Sequence, residues 1–209
     1  MLRFILFLLL FANALNAKTF EGFYVGGALS RNFFYQNVKT DINVLNYHVK
    51  AYDTKNNNSF EASLGYGMKF NNNFYTGIEA QVPLLGRKIS LSNVSLGDQY
   101  SGVLSKTKFV NVFGAHARFG YVFEDKILLY TLLGYNHGRV GREQYYDSWA
   151  NLDGYKVGAG LEFAFTDNLA AKTEYSYTRF NKKEIHNNGL DFVNQLALHS
   201  VKIGLNYYI

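Results

Sequence analysis

The chain has 209 residues, of which 48% are hydrophobic, 17% aromatic and only 18% charged. It contains no cysteine and one proline, which excludes a disulfide scaffold, a thiolate metal centre and a cysteine nucleophile. The formal net charge of +5 is dispersed along the chain rather than gathered in a patch, so no nucleic-acid partner is expected.

Residues 1–17 read MLRFILFLLLFANALNA. Arg3 supplies a positive start, Phe4 to Phe11 form an unbroken apolar run, and the small residues Ala12, Ala14 and Ala17 follow. The run is far shorter than the roughly 20 residues that a spanning helix needs, so a secretory signal peptide is expected. Cutting after Ala14 or after Ala17 is compatible with the small-residue pattern. The expected organisation is a signal peptide at 1–17 and one domain at 18–209.

From residue 22 onward the recurring period is two, not 3.6. Eight segments alternate: 22–30, 59–70, 74–85, 108–123, 127–139, 152–165, 169–180 and 195–209. The clearest is the last, where Val201, Ile203, Leu205, Tyr207 and Ile209 oppose Ser200, Lys202, Gly204, Asn206 and Tyr208. The fifth is the least regular, because Leu128, Leu129, Leu132 and Leu133 blur its register. Short polar turns at Asn71–Asn73, Glu124–Lys126 and Thr166–Asn168 separate long polar stretches at 31–58, 86–107, 140–151 and 181–194. Antiparallel strands joined in this order place every short turn at one end of a sheet and every long loop at the other.

That asymmetry, behind a signal peptide, predicts an all-β, eight-stranded antiparallel transmembrane up-and-down barrel. Its long loops would be extracellular and its short turns periplasmic. In lipid every backbone polar group must be satisfied internally, so the sheet must close, and 22–30 should pair with 195–209. A soluble sandwich or lipocalin-like barrel is the competing architecture. It would carry more charge on its outer face, and would not need the aromatics Tyr121, Phe123, Phe163, Phe165, Tyr207 and Tyr208 near its turns, where a membrane interface favours them.

With the apolar face toward lipid, Glu61, Lys69, Glu79, Arg118, Lys156, Glu162, Lys172, Glu174 and Lys202 point inward, with Gln81 and His116. Eight strands enclose a space just wide enough for side chains, so these four acids and five bases are expected to interlock as a lumen charge network. A narrow ion path along them is the alternative.

Candidate chemistry is sparse. His48 and His186 fall in expected loops, and no histidine pair has metal-ligand spacing. Glu174, Ser176 and Thr178 share a face without the remainder of a hydrolase site. GYG at 65–67 and GAG at 158–160 lack the rest of a nucleotide fingerprint. No catalytic, cofactor-binding or metal-binding residue is assigned.

Four stretches carry a resemblance: GFYVGGALS at 22–30, FEASLGYGMKFNNNFYTGIEA at 60–80, YKVGAGLEFAFTDNLAAKTEYSYTRF at 155–180 and HSVKIGLNYYI at 199–209. They resemble the small porin-like outer-membrane β-barrels of Gram-negative bacteria, the Omp25/Omp31-like or OmpA-like barrels. The departure is Ile209, where members usually end in Phe. The resemblance implies the bacterial outer membrane as location. It also implies contact with outer-membrane lipid and lipopolysaccharide, insertion by the outer-membrane assembly machinery, and loops available to a host or surface ligand. Without a wall-binding domain after residue 209, no tether to peptidoglycan is expected. The expected role is structural or surface-interacting, adhesin- or antigen-like, and not enzymatic. The alternatives are a narrow porin-like channel and, behind it, a lipid-modifying enzyme.

Overall fold

The computed structural model describes residues 20–42, 47–70, 73–86, 88–91, 107–142, 149–181, 183–187 and 190–209. Residues 1–17, expected to be a signal peptide, lie outside them. Ten strands occur among the described residues: β1 Gly22–Ile42, β2 Tyr47–Lys69, β3 Phe74–Leu85, β4 Lys88–Leu91, β5 Thr107–Phe123, β6 Ile127–Arg142, β7 Trp149–Ala164, β8 Leu169–Phe180, β9 Lys183–Asn187 and β10 Leu190–Tyr208. Eight of them form the wall in the order β1-β2-β3-β5-β6-β7-β8-β10, every neighbour antiparallel, and β1 pairs with β10 to close it. The closing ladder runs from Tyr24↔Tyr208 to Ile42↔Leu190. The short β4 continues the wall beside β5, and β9 folds onto β10. Closure leaves the eight-stranded wall without a free edge, which is what a sheet in lipid requires.

Alternation sorts the side chains as expected. Phe23, Val25, Leu29, Leu64, Ile78, Phe119, Leu133, Val157, Ile203 and Leu205 are exposed on the outer wall. The blurred register of β6 resolves into Leu128 and Leu132 inside, Leu129 and Leu133 outside. The turns use their polar residues: Asn73, Glu124 and Asp125 adopt positive φ, and the Thr166 hydroxyl accepts from the Asn168 and Leu169 amides.

Three expectations are corrected. The stretch 31–58 is not a loop throughout. It extends β1 and β2 from Arg31↔Asn58 to Ile42↔Tyr47, so the strand expected to be shortest has 21 residues. His48 and His186 accordingly lie in β2 and β9. The remaining long stretches likewise begin or end as strand. A sheet standing in water above a bilayer has no lipid face, and so carries no apolar alternation to betray it. The third correction is Tyr208. It does not join the outer aromatics but is buried in the lumen, whereas Tyr121, Phe123, Phe163, Phe165 and Tyr207 are exposed near the turns.

Candidate functional site: the barrel lumen

The inner wall is layered. At the turn end, Phe20, Tyr24, Tyr75, Val122, Leu128, Tyr130, Leu132, Ala164, Ala170 and Tyr208 form one apolar cluster. At the loop end, Phe34, Phe109, Leu152, Phe180, Leu196 and Leu198 form another. The rings of Phe34 and Phe180 lie 5.5 and 5.3 Å from that of Phe109 and span the lumen there. Between the two clusters lies the charged layer.

Eight of the nine inward charges meet in this layer. Arg118, fully buried on β5, donates to Glu162 on β7 and, at 2.8 Å, to the Tyr24 hydroxyl. It lies 3.6 Å from Glu79 and 3.8 Å over the ring of Tyr130. Glu162 also accepts from Asn206 Nδ2 and the Tyr208 hydroxyl, both at 2.7 Å. Lys172 donates to both oxygens of Glu79 at 3.1 and 3.2 Å, and Tyr24 adds a bond at 3.0 Å. Lys202 bridges Glu61 at 2.7 Å and Glu174 at 3.6 Å, and donates to Gln81 at 2.8 Å. Lys156 reaches Glu174 at 3.3 Å. Ser30 donates to Glu61 at 2.8 Å. Every charged member thus has an opposite charge, and every one but Lys156 has in addition a neutral partner or a second charge, the condition under which a buried ion pair is tolerated.

Lys69 is the exception. It lies at the turn-end rim and pairs at 2.5 Å with Asp125, whose side chain is largely exposed. Its removal leaves four acids and four bases among the described lumen residues, so the layer is electrically balanced.

Sequence reasoning missed the tyrosines. Tyr24, Tyr75, Tyr130 and Tyr208 are among the most buried side chains and support the charged layer from the turn end. The signal was available, since each lies on the glycine-bearing parity of its strand. Two glycines make room: a Cβ at Gly65 would lie 2.2 Å from the Tyr24 ring, and one at Gly160 2.4 Å from Tyr130.

Glu79, His116 and Glu174 bring ligand atoms within 4.8 Å of one another. The donor set does not fit a divalent cation. Both carboxylates are already claimed by Arg118, Lys156, Lys172 and Lys202, and an added cation would leave a buried excess of positive charge. Ser176 and Thr178 are buried beside Glu174. Thr178 accepts from Asn136 at 3.1 Å.

Residues 3–208 match the model of the outer membrane protein beta-barrel domain family. The chain is 27% identical over 154 residues to the 31 kDa outer-membrane immunogenic protein of Brucella melitensis biotype 1, covering 68% of this chain and 62% of that protein. It is 26% identical over 191 residues to a 22 kDa outer membrane protein of Rhizobium leguminosarum bv. viciae, covering 90% and 78%. Among solved structures, the outer membrane protein OprG of Pseudomonas aeruginosa superposes with a TM-score of 0.53 at 10% identity, covering 91% of this chain and 97% of that one. This last likeness concerns the fold alone.

Proposed function

The chain belongs to the outer membrane protein β-barrel domain family and resides in the bacterial outer membrane, and we propose that it serves there as a structural, surface-presented barrel without a conducting pore. The observation that carries this reading is the lumen. A balanced layer of four acids and four bases lies between two apolar clusters of buried side chains among the described residues, and an eight-stranded barrel filled in this way speaks against a wet path.

In this reading residues 1–17 direct export and are removed, and the assembly machinery inserts the barrel. The loop ends of β1–β2, β3–β5, β6–β7 and β8–β10 face outward, where they meet lipopolysaccharide and any host or surface ligand. The Brucella protein is described as immunogenic, and an antigen-like role fits a barrel whose first two strands rise 21 and 23 residues. That is about twice the 9–11 residues needed to cross lipid.

The test is conductance in a planar bilayer after refolding. The expected record is a flat baseline or rare, very small steps. A steady current of porin size would overturn the plugged lumen and establish the channel.

A further inference from the structure

The outer wall carries charge at its two rims, of opposite net sign. Between its two rims the described outward side chains are apolar or neutral, from Phe23 to Leu29 on β1 and from Val201 to Tyr207 on β10. At the loop end the outward charges among the described residues are Arg31, Arg139 and Arg179 against Asp153. The turn rim is the reverse, with Glu21, Glu124, Asp125 and Asp167 against Lys69 and Lys126.

At the seam where β1 meets β10, the loop-end belt is elaborated. His199 faces outward opposite Phe33 on one side and Tyr177 on the other. Its Nδ1 lies 2.6 Å from the Tyr175 hydroxyl, and its ring is 5.1 Å from Tyr35 and 4.8 Å from Tyr177. In the tautomer where the Tyr175 hydroxyl donates to Nδ1, the ring proton sits on Nε2, which has no partner among the described residues. Arg31 is the diagonal neighbour of His199 across the ladder, a spacing of about 7–8 Å that long side chains bridge. Its guanidinium lies 5.7 Å over the Phe33 ring, and no carboxylate of the described residues pairs with it.

We propose that Arg31 and His199, framed by Phe33, Tyr35, Tyr175 and Tyr177, form an outer-wall site for a phosphate on the sugar headgroup of an outer-leaflet glycolipid. The inference rests on the outward orientation of the loop end given above. Arg matches phosphate oxygens with paired donors, and the imidazole supplies another. The half-exposed rings of Tyr35 and Tyr175 offer flat apolar faces with polar tips at the depth where a headgroup begins. Those faces favour a phosphorylated sugar over a simple phosphodiester headgroup.

The experiment uses the refolded barrel stripped of lipid in a zwitterionic detergent. Bisphosphorylated lipid A, its dephosphorylated form and phosphatidylglycerol are titrated separately, and binding is read by native mass spectrometry. Heat-shifted gel mobility checks the fold of every variant. Phosphorylated lipid A should bind tightest. Combined Arg31→Gln and His199→Gln should weaken it by about tenfold or more, the factor of one charge-assisted hydrogen bond, while Arg31→Lys, which keeps the charge but loses the paired donors and the stack on Phe33, should fall between the variant and the parent. If the variant does not fold, the unmodified chain decides, since loss of the phosphates alone should weaken binding equally. Equal binding of phosphatidylglycerol, or indifference to the phosphates, overturns the site. Tags at 143–148 and at Asp167, labelled in intact cells, separate the two levels. Labelling at 143–148 alone leaves the orientation standing whatever the lipid result, and labelling at Asp167 alone overturns orientation and site together.

Discussion

Replacing Arg118 by leucine removes the one cation among the described residues that pairs with Glu162. Its remaining partners, Asn206 and Tyr208, are neutral. Glu79 fares better, because Lys172 stays on both its oxygens. The substitution therefore strands one carboxylate in a layer that was balanced, at a cost of about 3–5 kcal/mol for breaking a buried pair. Loss of the guanidinium from the face of Tyr130 adds about 1–2 kcal/mol at a desolvated site. Adding Glu162→Gln to the Arg118→Leu protein removes the stranded charge and leaves an acceptor for Asn206 and Tyr208. The double variant should recover about 2–3 kcal/mol, the coupling expected of groups in one network. The assay is urea unfolding in phospholipid vesicles followed by far-UV circular dichroism. A single-variant loss under about 1 kcal/mol, the range of exposed pairs, would refute the reasoning, as would a double variant no more stable than the single.

Lys69→Ala should cost about 0–1 kcal/mol in the same assay, because its partner Asp125 is largely in solvent. A loss as large as that of Arg118→Leu would return Lys69 to the lumen network. Gly160→Ala drives a methyl to within 2.4 Å of Tyr130 and 2.9 Å of the Thr173 carbonyl oxygen. Tyr130 is held under Arg118 and bonded to Glu174 at 3.3 Å, so overpacking should cost about 1–3 kcal/mol, and an unchanged midpoint would show that the ring is free to move.

How much of this was legible in the sequence follows the solvent. Where strands pass through lipid, the outer face must be apolar, and the period of two displayed β3, β8 and the lower halves of β1, β2 and β10. Where the same strands rise beyond it, both faces are wet, and the segment Arg31–Ile42 reads as loop although its ladder continues without a break. Parity also placed Glu61, Glu79, Arg118, Lys156, Glu162, Lys172, Glu174 and Lys202 on the inner face, but parity carries no height. Lys69 has the inward parity and lies too close to the turn to reach the layer. Partners were illegible for the same reason. Glu79 meets Lys172 across 93 residues of chain, a contact fixed by the stagger of strands around the barrel rather than by any local spacing. The lumen tyrosines were hidden by their type, since an aromatic ring on a membrane strand suggests the interface until glycines on neighbouring strands reveal an interior cavity being filled.

The charged layer has a second consequence, in folding rather than stability. Shifting a strand by one residue exchanges its two faces. For β8 that would turn Lys172 and Glu174 toward lipid, at a cost of about 2–4 kcal/mol for a lysine near the bilayer midplane and less for a glutamate. A lumen of methionines and leucines would impose no such penalty, yet buried ion pairs are often no more stabilising than well-packed apolar groups. The charges therefore specify register more than they add stability. The combined change Lys156→Met and Glu174→Met tests this. Lys202 keeps Glu61 at 2.7 Å, Lys172 keeps Glu79, and acids and bases remain equal in number. The polar losses to the groups that remain are the Tyr130 bond to Glu174 and the longer 3.6 Å contact of Lys202 with it, together about 1–2 kcal/mol. Correctly folded protein should unfold within about 2 kcal/mol of the parent, while the yield of heat-shifted barrel on refolding into vesicles falls, because slipped β7 and β8 each expose one charge fewer to lipid. An undiminished yield with a stability loss above about 3 kcal/mol would reverse the assignment and make this pair a source of stability rather than of register.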